Sequence, residues 1–123
     1  PEMSRGLGDV YKRQGMWWGI AAHCMRNGLV VVEVSPAQVK QYATGSGATS
    51  GVNKVTKPMV IKAVNARYDM GPLGLLPGQN DEADAIVLAA IGMRLLGCPV
   101  DPLIPAPNLR AITKIRLPEG ITA

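Results

Sequence analysis

From Ala85 to Met93 the chain reads AIVLAAIGM, nine residues without a charge. Asn80 and the acidic residues Asp81, Glu82 and Asp84 precede the run, and Gly97 and Pro99 follow it. A cap residue, first-turn carboxylates and a Gly/Pro stop together predict a helix over Asp81–Leu96, with Asn80 as its cap. Apolar nearly all round, that helix is expected to be buried on more than one side. It falls well short of the ~20 apolar residues that a membrane span requires. A soluble core must therefore form around it, and 123 residues at 47% apolar content supply enough for one domain or part of one. Two cysteines, Cys24 and Cys98, exclude a disulfide scaffold. They read as reduced thiols, which places the chain in the cytoplasm.

The remaining segments are read by the same rules. Residues 1–14 show no periodicity and no signal-peptide order. They read as an unstructured arm, and SRGLGDVYKRQ resembles an adapter-derived translation foreign to the fold. Gly15–Asn27 predicts a helix with Ile20, Ala21, Cys24 and Met25 on its apolar face and Gly28 as its stop. Trp17 and Trp18 read as packing residues, and His23 as structural. Leu29–Val34 (LVVVEV) is β-branched and nearly continuous in apolarity, the signature of a strand buried on both faces of a sheet. Glu33 would sit at its rim. Ser35 caps a short helix with Pro36 at its first position, running through Val39, Lys40 and Tyr42. Thr56 caps a further helix, Lys57–Tyr68, with Val60, Ile61 and Val64 as its core stripe. The Gly-rich link between them, Ala43–Asn53, lacks the register of a nucleotide-binding loop. The 98–123 stretch is a Pro-rich tail with one candidate strand, Ala111–Leu117.

Charge is distributed unevenly. The formal net charge is +4. Ser35–Tyr68 carries Lys40, Lys54, Lys57, Lys62 and Arg67 with no acid, whereas Asp69–Asp84 carries Asp69, Asp81, Glu82 and Asp84 with no base. A basic stretch beside an acidic cluster suits a protein that holds a polyanion through lysines and a hard divalent cation through carboxylates. Asp81 and Asp84 stand at i and i+3, on one face of a helical first turn. No Ser/His/Asp or Cys/His arrangement for nucleophilic catalysis is present.

Three motifs carry a family resemblance: VEVSPAQVKQYATGSG (Val32–Gly47), KPMV (Lys57–Val60) and NDEADAIVLA (Asn80–Ala89). Together they resemble the RuvC-type Holliday-junction resolvases, over roughly Gly15–Gly97. The resemblance implies an α/β fold of the RNase H-like class, a mixed sheet flanked by helices, here incomplete with its N-terminal strands missing. It implies a homodimeric endonuclease that uses Mg²⁺, or Mn²⁺ in its place, to hydrolyse phosphodiester bonds at a four-way DNA junction. Asp81 and Asp84 match the last two of four catalytic, metal-binding carboxylates. Lys40 and Lys57 match basic positions near the scissile strand, with Lys54 competing and Lys62 nearby. Motifs for the other two carboxylates are absent, since Glu2, Asp9 and Glu33 stand in the wrong contexts. The chain is therefore expected to be a portion of the enzyme, inactive alone, with residues 15–97 forming the resolvase part. The competing expectations are a non-catalytic DNA-binding protein on the same scaffold, an RNase H-like nuclease of another substrate class, or an α/β interaction domain without a nucleic-acid role.

Overall fold

The structure, a computed structural model, describes residues 2–115 and 117, and of residues 2–11 the backbone alone. Among the described residues every regular element is helical: α1 (Glu2–Arg26), α2 (Pro36–Thr44), α3 (Lys57–Arg67), α4 (Asn80–Leu95) and α5 (Ala106–Leu109), followed by a 3₁₀ turn at Arg110–Ile112. The expected α/β architecture with a mixed sheet is thereby overturned. Leu29–Val34 forms no strand. A strand must pass its backbone N–H and C=O groups to a neighbour, and no second strand among the described residues takes them. Leu29 is accordingly 60% exposed rather than buried. The other strand expectation, Ala111–Leu117, begins in the 3₁₀ turn, and Arg116 lies outside the described residues.

The chain divides into two units at Val32–Glu33. In the first, α1 begins at Glu2, so the helix expected from Gly15 extends back through the presumed arm. It ends where expected. Leu29 N–H donates to Cys24 O at 2.9 Å, Asn27 Nδ2 donates to His23 O at 2.8 Å, and Gly28 takes a positive φ. Trp17 and Trp18 meet edge to face with centroids 4.7 Å apart, yet Trp18 is 64% exposed. These residues, with Ile20 and Met25, lie at the surface and not in a core.

In the second unit α2, α3 and α4 pack against one another, and α5 with the 3₁₀ turn packs on α2. Ser35 caps α2 as its sequence dictates. Its Oγ accepts from Gln38 N–H at 3.2 Å and Gln38 Oε1 accepts from Ser35 N–H at 2.7 Å, a reciprocal capping box. At the far end Gly45 takes φ +88° and donates its N–H to Gln41 O at 2.8 Å. A side chain there would be strained by that φ and pressed against Asn108 Oδ1. Val60, Ile61 and Val64 of α3 are buried as their spacing requires, against Val87, Ala90 and Ile91 of α4 and Tyr42 of α2 in one cluster. The helix α4 starts one residue early, at Asn80 with Gln79 in the cap position. Its expected all-round burial is not met: Ala83, Val87, Ala90 and Ile91 are buried, while Leu88, Met93 and Leu96 face outward.

The proline-rich stretch after Gly97 belongs to this core through Asp101, which is only 7% exposed. Tyr42 Oη donates to both Asp101 oxygens, at 2.8 and 2.9 Å, and Tyr68 Oη donates to Oδ2. Arg94 Nη2 reaches Asp101 Oδ1 at 3.2 Å and also the Asp101 backbone carbonyl, while Arg94 Nε donates to Tyr42 Oη at 3.0 Å. Arg67 Nη1 stands 4.0 Å from Oδ2 and lies over the rings of Tyr42 and Tyr68, 5.7 and 5.8 Å from their centroids. Arg67 also donates to Tyr42 O and Ala43 O, both at 2.9 Å, closing the last carbonyls of α2. Burial and the hydrogen bond to Asp101 push the Tyr68 hydroxyl well above its ordinary pKa, and burial raises Tyr42. Burial opposes the Arg94 charge, but its hydrogen bonds to Tyr42 and Asp101 outweigh that and hold it charged.

Removing the carboxylate leaves two cations and two hydroxyls facing an apolar interior without their acceptor. Asp101→Ala is therefore expected to cost about 3–5 kcal/mol, and Asp101→Asn less, since its amide oxygen still accepts. Urea unfolding followed by the helical circular-dichroism signal checks both, and a loss under about 1 kcal/mol for Ala, the scale of an exposed pair, contradicts the arrangement.

Candidate nucleic-acid interface

Three helices and one loop line a cleft of about 580 Å³. Lys40 comes from α2, Lys54 from the loop 45–56, Lys57 from the first turn of α3, and Asn80 and Asp84 from the first two turns of α4. Val55 and Val60 form part of its apolar wall. The packing already described accounts for this convergence. The buried stripes of α3 and α4 face each other and their C-terminal ends meet at Asp101 through Tyr68 and Arg94, so their N-terminal ends stand side by side. Lys40 lies two residues before buried Tyr42, so it leaves the other side of α2.

The loop is held at its base. Ser46 N–H donates to Thr44 Oγ1 at 3.2 Å, Ala48 N–H donates to Ser46 Oγ at 3.3 Å, and Val55 N–H donates to Ala48 O at 2.9 Å. The Val55 side chain is fully buried. Lys54 thus projects from a fixed frame. At the start of α3 the Thr56 side chain makes no cap bond, and Met59 Sδ instead accepts from Thr56 N–H at 3.4 Å.

Electrostatics tie Asp84 to its neighbours. Its carboxyl is raised above the usual aspartate range, first by burial and then by the negative charge of Asp81, while Lys40 and Lys57 pull it down. Lys40, Lys57 and Asp81 are thus each within interaction range of Asp84. Asp81 is exposed in the first turn of α4. Lys62 is separate: it borders a different hollow, between Pro58, Asn65 and Pro77. Glu33 is exposed, and His23 and Cys24 lie on α1 in the first unit. Glu2 and Asp9 also lie on α1, outside the described side chains. Asn80, expected only as a cap, lines the cleft as well.

Among the described residues no group of three or more His, Cys, Asp and Glu is gathered. Asp81 and Asp84 are hard oxygen donors one helical turn apart, and the mutual repulsion that raises Asp84 is what a divalent cation would relieve. The pair fits a weakly held Mg²⁺ that keeps most of its waters, and not a tightly caged ion. No described helix is long and apolar enough to cross a membrane. Comparison with protein-family models, with curated proteins and with solved structures finds no match.

A carboxyl raised on folding binds its proton more tightly in the folded chain. Its ionisation therefore costs stability as pH rises from the ordinary aspartate range through the folded value. Asp84→Asn is expected to stabilise the protein at neutral pH by less than about 1 kcal/mol, as solvent-screened charges allow, with the gain disappearing below about pH 3.5. Thermal unfolding of both proteins across this pH range checks the sign, and a destabilised Asn variant at pH 7 contradicts it.

Proposed function

We propose that the cleft between α2, α3 and α4 holds the phosphodiester backbone of DNA. The observation that carries this reading is that Lys40 of α2 and Lys54 and Lys57 of the segment that enters α3 line one cleft with Asp84, whose carboxylate feels the charges of Lys40 and Lys57. Three ammonium groups around one concavity neutralise phosphates without reading bases. An aspartate among them repels a phosphate unless a cation stands between, which gives Asp81 and Asp84 their role as the ligands of Mg²⁺ or Mn²⁺. Such an ion, when bound, polarises a phosphoryl oxygen and lowers the pKa of its water. The lysines bind and orient the strand, and Asn80 offers an uncharged hydrogen bond at its edge.

The motifs at Val32–Gly47, Lys57–Val60 and Asn80–Ala89 resemble those of junction-resolving endonucleases, so branched DNA is the substrate class we assign. The sheet that such a resemblance implies is not part of this reading. Two carboxylates leave most coordination positions to water, so the chain as given is expected to bind DNA without cutting it. We place the activity in the cytoplasm, where thiols such as Cys24 and Cys98, both free, stay reduced. Pairing of two chains, as the resemblance implies, would set two clefts on one junction.

Fluorescence anisotropy on a synthetic four-way junction tests this. Three neutralised phosphates give a log–log salt slope of about −2.7. Lys40→Ala, Lys54→Ala and Lys57→Ala should each flatten the slope by about 0.9, and Lys62→Ala should leave it nearly unchanged. A slope near zero, or an effect of Lys62 equal to that of the cleft lysines, contradicts the reading. With Mg²⁺ the junction should remain intact. Nicking that disappears in Asp81→Asn and Asp84→Asn would instead mean that the chain holds a complete catalytic site.

A further inference from the structure

The links that join α2 to α3 and α3 to α4 are rich in glycine, with serine or proline, as water-facing connections are. The link from α1 to α2 is built differently. After Gly28 it runs Leu29-Val30-Val31-Val32-Glu33-Val34 and contains no helix or turn. Both ends are tethered: Leu29 N–H donates to Cys24 O at 2.9 Å, and Val34 packs against the helical core. Between them, among the described residues, no backbone N–H or C=O of Val30–Glu33 is hydrogen-bonded within the chain. Leu29 and Val30 are exposed, and Val31 and Val32 are half-buried. Three consecutive β-branched side chains favour extended backbone, yet nothing lies alongside to pair with it. Open ladder groups and strand-type side chains ask for the same ligand, a second extended strand.

Charge and area say which strand. The segment is flanked by opposite charges, both exposed: Arg26 at the end of α1 and Glu33 after Val32. An identical segment laid antiparallel brings the basic end of each copy to the acidic end of the other. Laid parallel and in register, it would set Glu33 beside Glu33, which is unfavourable. A two-stranded ribbon alone is marginal and needs further apolar cover. Met16, Trp18, Ile20 and Met25 of α1 and Leu29 just after it are each more than half exposed. A standard interface takes about 800 Å² from each partner, and five large apolar side chains of this exposure supply most of it.

We propose that two copies of this chain pair antiparallel through Val30–Val32, forming a two-stranded ribbon that neither copy contains alone. The single chain stays helical, and the strand exists only between chains. Backbone ladder bonds supply the pairing, the Arg26 and Glu33 ends set its direction, and the apolar side chains of α1 cover it. The twofold arrangement makes every contact occur twice, so a change at one residue counts twice in the dimer. The inference does not depend on the DNA reading of the cleft, and its test contains no DNA.

Sedimentation equilibrium of the full chain over a concentration series gives the mass, and amide I infrared absorption of the same samples reports strand. The wild type is expected to pass from monomer to dimer, with a strand band that grows in step. Alternate N–H groups of a strand face its partner, so at least one of Val31→Pro and Val32→Pro removes a ladder donor. That variant should raise the dissociation constant about tenfold or more, with its helical circular dichroism unchanged. Glu33→Lys should weaken the dimer about threefold or more, and adding Arg26→Glu should restore it to within about twofold of wild type. A monomer at every concentration, a mass beyond the dimer, or a dimer without the strand band overturns the proposal. So does a dimer that both proline variants leave unchanged, which would mean association through α1 alone. Failure of the double charge reversal to restore the dimer overturns the antiparallel arrangement.

Discussion

The carboxylate of Asp101 gathers the ends of three helices. It receives the hydroxyl of Tyr42 from α2, the hydroxyl of Tyr68 just past α3, and the guanidinium of Arg94 near the end of α4, with Arg67 at 4.0 Å. Each of these groups would be costly to bury alone. Together they satisfy one another, and no buried side-chain nitrogen or oxygen among the described residues is left without a partner. The two cations exceed the one anion, and the helix ends supply the balance: Arg67 donates to the terminal carbonyls of α2, where the helix dipole is negative. The same carbonyls accept from Asn108, which brings α5 onto α2.

This cluster sits at the C-terminal ends of α3 and α4, while Lys57, Asn80 and Asp84 stand at their N-terminal ends. Holding the two helices together at one end and by buried Val64, Val87 and Ile91 along their length fixes the spacing at the other. The cleft is therefore a consequence of the core, assembled from helices whose relative placement has already been decided. Lys40 and Tyr42, two residues apart on α2, divide the labour: one faces the cleft and the other the carboxylate. Positive dipole ends of α3 and α4 add to the lysines in favouring an anion there.

Much of this was readable in the sequence, and what was not has physical causes. The Ser35–Pro36 start of α2, the Val60–Ile61–Val64 stripe and the acidic opening of α4 depend on local chemistry, which a sequence carries directly. The division of charge between 35–68 and 69–84 is equally plain in the sequence, but it is the packing of α2, α3 and α4 that brings Lys40 and Lys57 to Asp84. Leu29–Val34 is different. β-branching is a preference that becomes a strand only when another strand pairs with it, and that condition is not local. Asp101 had no signature at all. It is an isolated acid in a Pro-rich stretch, and its tyrosine partners lie 33 and 59 residues away. Trp17, Trp18 and the outer face of α4 expose a related limit: apolarity says what burial would gain, not which partner provides it.

Amide chemical-shift mapping by NMR tests the central claim most directly, because it locates DNA on the protein without reference to cutting. With a short DNA duplex or junction added at low salt, the account predicts shifts concentrated at Lys40, at Lys54–Lys57 and at Asn80–Asp84, fading as salt is raised. Lys62, Asn65 and the Asp101 cluster should stay unmoved. Shifts centred on the Lys62 side of α3, or spread evenly over the surface, would contradict it.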